Sequence, residues 1–327
     1  MNVISKFLIK KILSPQEHLE AILQRRYNFF ELIIFVKKKI WRNFYNSFQR
    51  LFSKPSNRIF LQKIEIFFSK KVNIENNSNI INHCNNLKND GITFFNKDNF
   101  DLDFEKIYKS LESENKLYSA YEDNKFYDKN ENNSFKMGYI PTERLIKNEE
   151  ILKLINNELI VSILNNYFGA KVIFDNIWSW WSFKHEDNAL GPQNFHRDYN
   201  SINFFKLFVY LSEVDELSGP HVYVKGSHKK DVFNKIGRYQ DKDVMNEFNE
   251  KNIISIKGPK YTMFMANTFG LHKGLPPRNN DRLLLCILYS INPSRASPKL
   301  PLYDFHRFKI KDILLKNKYL NKMYIKY

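Results

Sequence analysis

Cysteine is almost missing from this chain. Cys84 and Cys286 are the two thiols in 327 residues. That is too few for a disulfide framework, and with no CxxC pair a thiolate zinc site is excluded. Glycine is scarce too, at 10 residues. None of them falls in a GxGxxG or GxxxxGKS/T pattern, so a nucleotide-binding α/β fold has no support. Long apolar runs are also lacking. Near the N-terminus the longest is Leu32 to Val36, far short of the roughly 20 residues that span a bilayer. Lysines interrupt the apolar pieces of residues 1–16 and no small-residue cleavage site follows. No secretory signal is expected, and the chain reads as cytoplasmic and reduced. No internal repeat is visible. The 43% hydrophobic and 26% charged content excludes collagen-like and wholly disordered chains.

Positive charge, by contrast, is abundant and uneven. The formal net charge is +16. Residues 1–71 hold 15 Lys and Arg against 4 Glu, and residues 307–327 hold 7 against 1 Asp. The body between them is therefore nearly neutral. Basic ends suit an anionic membrane surface or a nucleic acid. Low-GC coding produces the same Lys, Asn, Ile and Phe enrichment with no partner at all. No nucleic acid is expected; the two readings left are no partner at the ends, or a membrane surface to which the protein is peripheral.

Residues 1–71 read as helical. Ile33, Val36, Ile40, Phe44, Phe48 and Leu51 recur at steps of three and four and draw one apolar stripe. Such a stripe packs on the protein's own core or lies on a membrane. Pro55 marks a break. Residues 72–88 are polar and Asn-rich, the composition of a linker. Asn89-Asp90-Gly91 is a turn signal before a strand at Ile92 to Phe95. Helices are expected over 104–114 and from Thr142 to Phe168, the second ended by Gly169. From residue 171 the texture becomes β: 172–183, 204–211, 222–224, 253–256, 261–265 and 283–289, with a polar excursion at 229–252. Short strands with turn punctuation predict a sandwich or barrel with flanking helices.

The chemistry concentrates at His196-Arg197-Asp198. In an extended chain residues i and i+2 point the same way, so an imidazole and a carboxylate converge. A second imidazole would complete the two-histidine, one-carboxylate set that leaves open positions on non-haem iron. His272 is the candidate, and Arg282 follows ten residues later. A buried arginine there needs an anion, which a dicarboxylate co-substrate would supply through a bidentate fork.

Four stretches carry a family resemblance: Asn89-Asp90-Gly91-Ile92, Phe195-His196-Arg197-Asp198, Lys206 to Leu211 running into SGPHVYVKGSHK (residues 218–229), and Gly270-Leu271-His272-Lys273-Gly274 leading to Asp281-Arg282-Leu283. With these, residues 89–306 resemble the phytanoyl-CoA dioxygenase (PhyH-like) family of Fe(II)/2-oxoglutarate oxygenases. The resemblance implies a double-stranded β-helix (jelly-roll, cupin-like) core with the metal at one mouth. It implies His196, Asp198 and His272 as iron ligands and Arg282 on the distal carboxylate of 2-oxoglutarate. O2 would be consumed, 2-oxoglutarate would give succinate and CO2, and a small or lipid-like organic substrate would be hydroxylated. The helical region 1–71, the linker 72–88 and the basic tail or helix 307–327 lie outside the resemblance.

One departure stands out. Where some members place a hydroxyl residue two positions after the distal histidine, this chain has Gly274. Lys206 is a candidate substitute: pointing inward it would need an anion, pointing outward it needs nothing. Asp198 favours hydroxylation over halogenation, because related halogenases lack that carboxylate. Trp178 and Trp180 share a strand face and, with Tyr199 and Asn200, are candidates to touch substrate. His221 and His228 read as structural. The competing functions are a non-catalytic jelly-roll binding protein and a membrane-surface protein dominated by its basic helices.

Overall fold

The computed structural model describes residues 40, 44, 48–49, 52–119, 125–130, 135–186, 189, 191–294, 296–298 and 312–325. The expectations for residues 1–39, including Ile33 and Val36, and for Leu51 lie outside them. Helix α1 (Pro55–Phe67) is followed by α2 (Ser78–Asn89), β1 (Ile92–Phe95), α3 (Phe104–Glu112), β2 (Lys116–Tyr118), β3 (Phe126–Asp128) and β4 (Met137–Ile140). Three short helices follow, α4 (Thr142–Lys147), α5 (Glu149–Ile155) and α6 (Glu158–Phe168). Then come β5 (Ile173–Ser182), β6 (Phe204–Tyr210), β7 (His221–Val224), α7 (Asp241–Glu247), β8 (Ile253–Ile256), β9 (Met263–Ala266), β10 (His272–Gly274), β11 (Arg282–Ser290) and α8 (Asp312–Lys316). No helix among the described residues is long and apolar enough to cross a membrane.

The strands form two antiparallel sheets. The large one runs β1-β9-β6-β11-β5-β4-β2-β3 and the small one β10-β7-β8. An isolated antiparallel bridge, His196↔His272, adds the 195–198 segment beside β10. The two sheets enclose Phe208, Tyr210, Tyr223, Phe264, Leu284 and Cys286, with Trp178 and Trp180 packed against them. This is a double-stranded β-helix. The opposite face of the large sheet is covered by helices: Leu207, Val209, Met265, Leu285 and Ile287 pack with Ile151, Leu154, Ile160 and Ile163. Both faces are therefore apolar, which explains the unbroken run Leu283 to Tyr289 in β11, where every residue is buried. Each fully buried aliphatic side chain there contributes roughly 2 kcal/mol.

Three expectations change. Residues 78–89 are not a linker but α2: the Asn77 side chain accepts from the Asn79 and Ile80 amides and starts the helix, which buries Ile80 and Leu87. The single helix expected over 142–168 is three, because Asn148 and Asn157 cap new starts by accepting from the Ile151 and Ile160 amides. Gly169 does end the last of them in a left-handed conformation, φ 62°. The basic C-terminal stretch, in its described part, docks on the core: Leu314, Leu320 and Tyr324 are buried, and Tyr324 stacks on Phe174 at 4.2 Å.

The motif stretches meet around one packing point. Gly91 has φ 82°, and a Cβ there would lie 2.3 Å from the Tyr223 hydroxyl and 2.6 Å from His228 Nδ1, so neither the backbone nor the space admits a side chain. Arg197, between the two candidate ligands, points away from them. Its guanidinium, buried over Phe269, donates to the carbonyls of Ser227, Lys230, Val232, Phe233 and Phe269 at 2.6–3.3 Å. It thereby ties the 229–252 excursion to the barrel. Replacing Arg197 by Met orphans these carbonyls and should lower stability by about 3 kcal/mol or more. Thermal or urea unfolding checks this.

Candidate metal centre

Backbone pairing sets the site before any side chain does. His196 and His272 exchange both backbone hydrogen bonds, N to O at 3.0 and 3.1 Å, and the Asp198 amide donates to Thr268 O at 2.8 Å. A directly paired i, j couple places its side chains on one face, and Asp198 lies two residues on, on the same side. His196, Asp198 and His272 therefore present three ligating atoms that all lie within 4.8 Å of one another. The imidazole rings are 4.2 Å apart, centroid to centroid. His196 Nε2 is 3.7 Å from Asp198 Oδ1, and His272 Nε2 is 3.3 Å from Asp198 Oδ2. Ligands roughly 2.1 Å from one ion lie about 3 Å apart at right angles, so the donors need only small movement to close on it.

The second nitrogen of each ring is held as a metal ligand requires. His196 Nδ1 lies 2.8 Å from Asn194 O and His272 Nδ1 2.9 Å from Gly270 O. A carbonyl only accepts, so both Nδ1 atoms carry the proton and both Nε2 lone pairs face the centre. Burial, with His272 beside it, pushes the His196 imidazole down to about 3. Burial alone would raise the Asp198 carboxyl, but Lys206 and then His272 hold it well below the usual carboxylate range. A neutral imidazole and an ionised carboxylate are the forms that bind a divalent cation. Two nitrogens and one oxygen are the donor set that suits non-haem iron.

Lys206 points inward. Its ammonium donates to Asp198 Oδ2 at 2.7 Å and lies 5.5 Å from the centre of the Trp178 ring. Arg282 lies beside Gly274, two residues beyond His272. Arg282 is buried, and its Nη2 donates to Ser182 Oγ at 3.2 Å. Among the described residues its Nε and Nη1 have no partner. A guanidinium left half unpaired in a buried place is costly unless an anion completes it. A Cβ at Gly274 would lie 3.4 Å from Arg282 Nη2, so the missing side chain opens space beside that fork.

His221, read from sequence as a structural residue, belongs to this site. It is the direct cross-strand partner of Gly274, as Tyr223 is of His272, so its ring occupies the face that Gly274 leaves open. It lies nearly parallel to the His272 ring, 19° and 5.4 Å away, and packs on Phe208 at 4.9 Å. Its buried Nε2 has no partner among the described residues. No sequence spacing marks this residue, because the pairing of β7 with β10 is a long-range event. Trp178 and Tyr199 pack on one cluster with Phe204, Phe269 and Leu288. Trp180 stacks on Tyr139 at 5.5 Å, nearer Arg282. Asn200 Oδ1 is buried and has no partner among the described residues.

No protein-family model and no curated protein matches the chain. Solved structures of similar shape include the epimerase SnoN in complex with Fe3+, alpha ketoglutarate and nogalamycin RO, at 12% identity and TM-score 0.48, covering 65% of this chain and 84% of that one. EctD from S. alaskensis with 2-oxoglutarate and 5-hydroxyectoine aligns at 13% identity and TM-score 0.47, over 68% and 79%. HygX from Streptomyces hygroscopicus, with nickel, 2-oxoglutarate and hygromycin B, aligns at 12% and 0.42, over 64% and 86%. At these values the likenesses decide neither activity nor substrate.

Lys206 holds the free oxygen of a ligating carboxylate. Lys206→Met should weaken binding of Fe(II), or of Co(II) as a spectroscopic stand-in, by about 10- to 100-fold. Metal titration followed by d–d absorbance or calorimetry checks this.

Proposed function

We propose that this chain is an Fe(II)/2-oxoglutarate-dependent oxygenase of the phytanoyl-CoA dioxygenase type, hydroxylating a small or lipid-like organic molecule. The observation that carries the reading is the pairing of a His-Asp-His cluster with both imidazoles buried and a buried arginine with two nitrogens that have no partner among the described residues. A metal site alone would suit many proteins. A metal site with a cation poised for a second carboxylate suits a chelating dicarboxylate.

Iron with 2-oxoglutarate and O2 supplies the oxidising power that replaces a C–H bond by C–OH, with succinate and CO2 released. The protein's own residues hold and aim these groups. His196, Asp198 and His272 would hold the iron on one side and leave the other open. Lys206 keeps Asp198 ionised and fixed. Arg282, steadied by Ser182, would receive the distal carboxylate in a planar fork. His221, the cross-strand partner of Gly274, would donate to that same carboxylate from its Nε2, which has no partner among the described residues. Phe208, Tyr210, Phe264 and Leu284 line the interior and keep water out, which strengthens every charged contact there. Trp178, Tyr199 and Asn200 lie on the Lys206 side, where substrate would approach. Asp198 would supply a ligand where a halide would otherwise bind, so hydroxylation is the expected outcome.

Anaerobic titration of the metal-free protein with Fe(II) and 2-oxoglutarate tests this through the visible charge-transfer band of the chelate. The wild type should show the band and His196→Ala should lose it. Arg282→Met should need at least 100-fold more 2-oxoglutarate. His221→Leu removes one buried hydrogen bond to a charged group and should need about 10- to 100-fold more, with metal affinity unchanged. A wild-type protein that binds no iron and gives no band would overturn the assignment. Equal 2-oxoglutarate affinity in His221→Leu and wild type would overturn the role of His221 alone.

A further inference from the structure

Helix α1 is inside out. Its inward face is polar and charged: Arg58 is 1% exposed and Glu65 8%, while Phe60, Phe67 and the adjoining Phe68 are 65%, 72% and 82% exposed. On a helical projection Phe60, Lys63, Ile64 and Phe67 share one stripe, and Arg58, Gln62 and Glu65 share the opposite one. The inward stripe is tied to the barrel by polar contacts. The Arg58 guanidinium donates to Ser201 O and lies 4.2 Å from the centre of the Phe269 ring. Gln62 donates to Ile202 O at 3.2 Å. Asn203 and Asn292 donate to the two oxygens of Glu65 at 2.7 and 2.9 Å. Polar contacts thus hold the helix to the barrel, helped by Ile66 at the edge of the core, while the outward side chains Ile59, Phe60, Ile64 and Phe67 are exposed. Ile40, Phe44 and Phe48, helical and spaced by four, are exposed as well. A patch of this kind marks an interaction surface.

We infer that the outward face of α1 docks on an anionic lipid bilayer. Charge selects the occupant. Between residues 52 and 74 every exposed ionisable group is a lysine, namely Lys54, Lys63, Lys70 and Lys71, and the one carboxylate, Glu65, is buried. Aromatic and aliphatic side chains interleaved with lysine are the makings of an interfacial helix: rings enter the headgroup boundary while lysines reach anionic phosphates. A second copy of the chain would bring like charge against like. The preceding residues 1–39 carry 8 Lys and Arg against 3 Glu and meet the same objection. The basic C-terminus serves as an internal contrast, since its apolar residues Leu314, Leu320 and Tyr324 are consumed by the core. Docking also has a consequence for the metal centre. The residues that α1 grips, Ser201 to Asn203, begin three positions beyond Asp198, and Arg58 lies beside the Tyr199 ring as well. A bilayer under α1 therefore adjoins the loop leading out of the candidate site. The inference stands independently of the oxygenase reading.

Sedimentation of the full chain with vesicles of phosphatidylcholine, with and without phosphatidylglycerol, tests it. The wild type should bind the phosphatidylglycerol vesicles, less so at high salt. Phe60→Ser, Phe67→Ser and Phe68→Ser combined, and separately Lys63→Glu with Lys70→Glu, should each weaken binding about tenfold or more. Both should keep wild-type metal affinity and melting temperature, since all these side chains are exposed. Absence of wild-type binding, equal binding without phosphatidylglycerol, or unaltered binding by the variants would each overturn the proposal. So would a wild-type dimer, seen by sedimentation velocity without vesicle binding, that the triple-Phe variant dissolves; that result would assign the face to a copy–copy contact.

Discussion

A two-residue backbone bridge governs this molecule. His196 and His272 lie 76 positions apart in the chain, yet they exchange both peptide hydrogen bonds. That exchange fixes their side chains on one face, brings Asp198 into the same space and creates the charge environment of the interior. The rest of the barrel makes this bridge permanent. Arg197 clamps five carbonyls behind it, Tyr223 and His228 fill the space that Gly91 leaves, and the apolar wall from Phe208 to Leu284 excludes water. A buried carboxylate between two imidazoles is unfavourable by desolvation alone. Lys206 offsets that cost on one side, and an ion among the three donors would offset it on the other.

Two cations face the interior. Lys206 lies against Asp198, with the Trp178 ring nearby. Arg282 lies by Ser182 and Gly274, and His221, opposite Gly274 and stacked on the His272 ring, links the two places. The question that Lys206 poses in the sequence has its answer here: its anion is Asp198. The gap at Gly274 has a neighbour that fills it from across the sheet rather than from along the strand. A side chain lost at one position of a ladder can be replaced by its cross-strand partner, because both project into the same volume.

The two basic ends illustrate how composition fails to predict fate. Both are rich in Lys and in apolar residues at helical spacing. The C-terminal one spends its apolar side chains on Phe174 and the helical layer. The N-terminal one, at α1, turns its apolar side chains outward and attaches itself by Arg58, Gln62 and Glu65. An amphipathic pattern states that two faces differ; it does not state which face the domain will take.

Much was legible without a structure. The β texture after residue 171, the turn at Gly91, the cap at Gly169, and the convergence of His196 with Asp198 follow from local rules of alternation, left-handed backbone and side-chain direction. These depend on neighbours within a few residues, and such information is present in the chain itself. Short elements were missed for the same reason. β2, β3 and β10 are three residues each, too brief to show a period, and α2 is hidden by its asparagines although Asn77 is what starts it. The inward aim of Lys206, the place of His221 opposite Gly274, the unpaired fork of Arg282 and the inversion of α1 were decided only by tertiary structure. Each depends on which strand or loop lies alongside after long-range pairing, and a linear pattern carries the chemistry of a residue but not the identity of its partner.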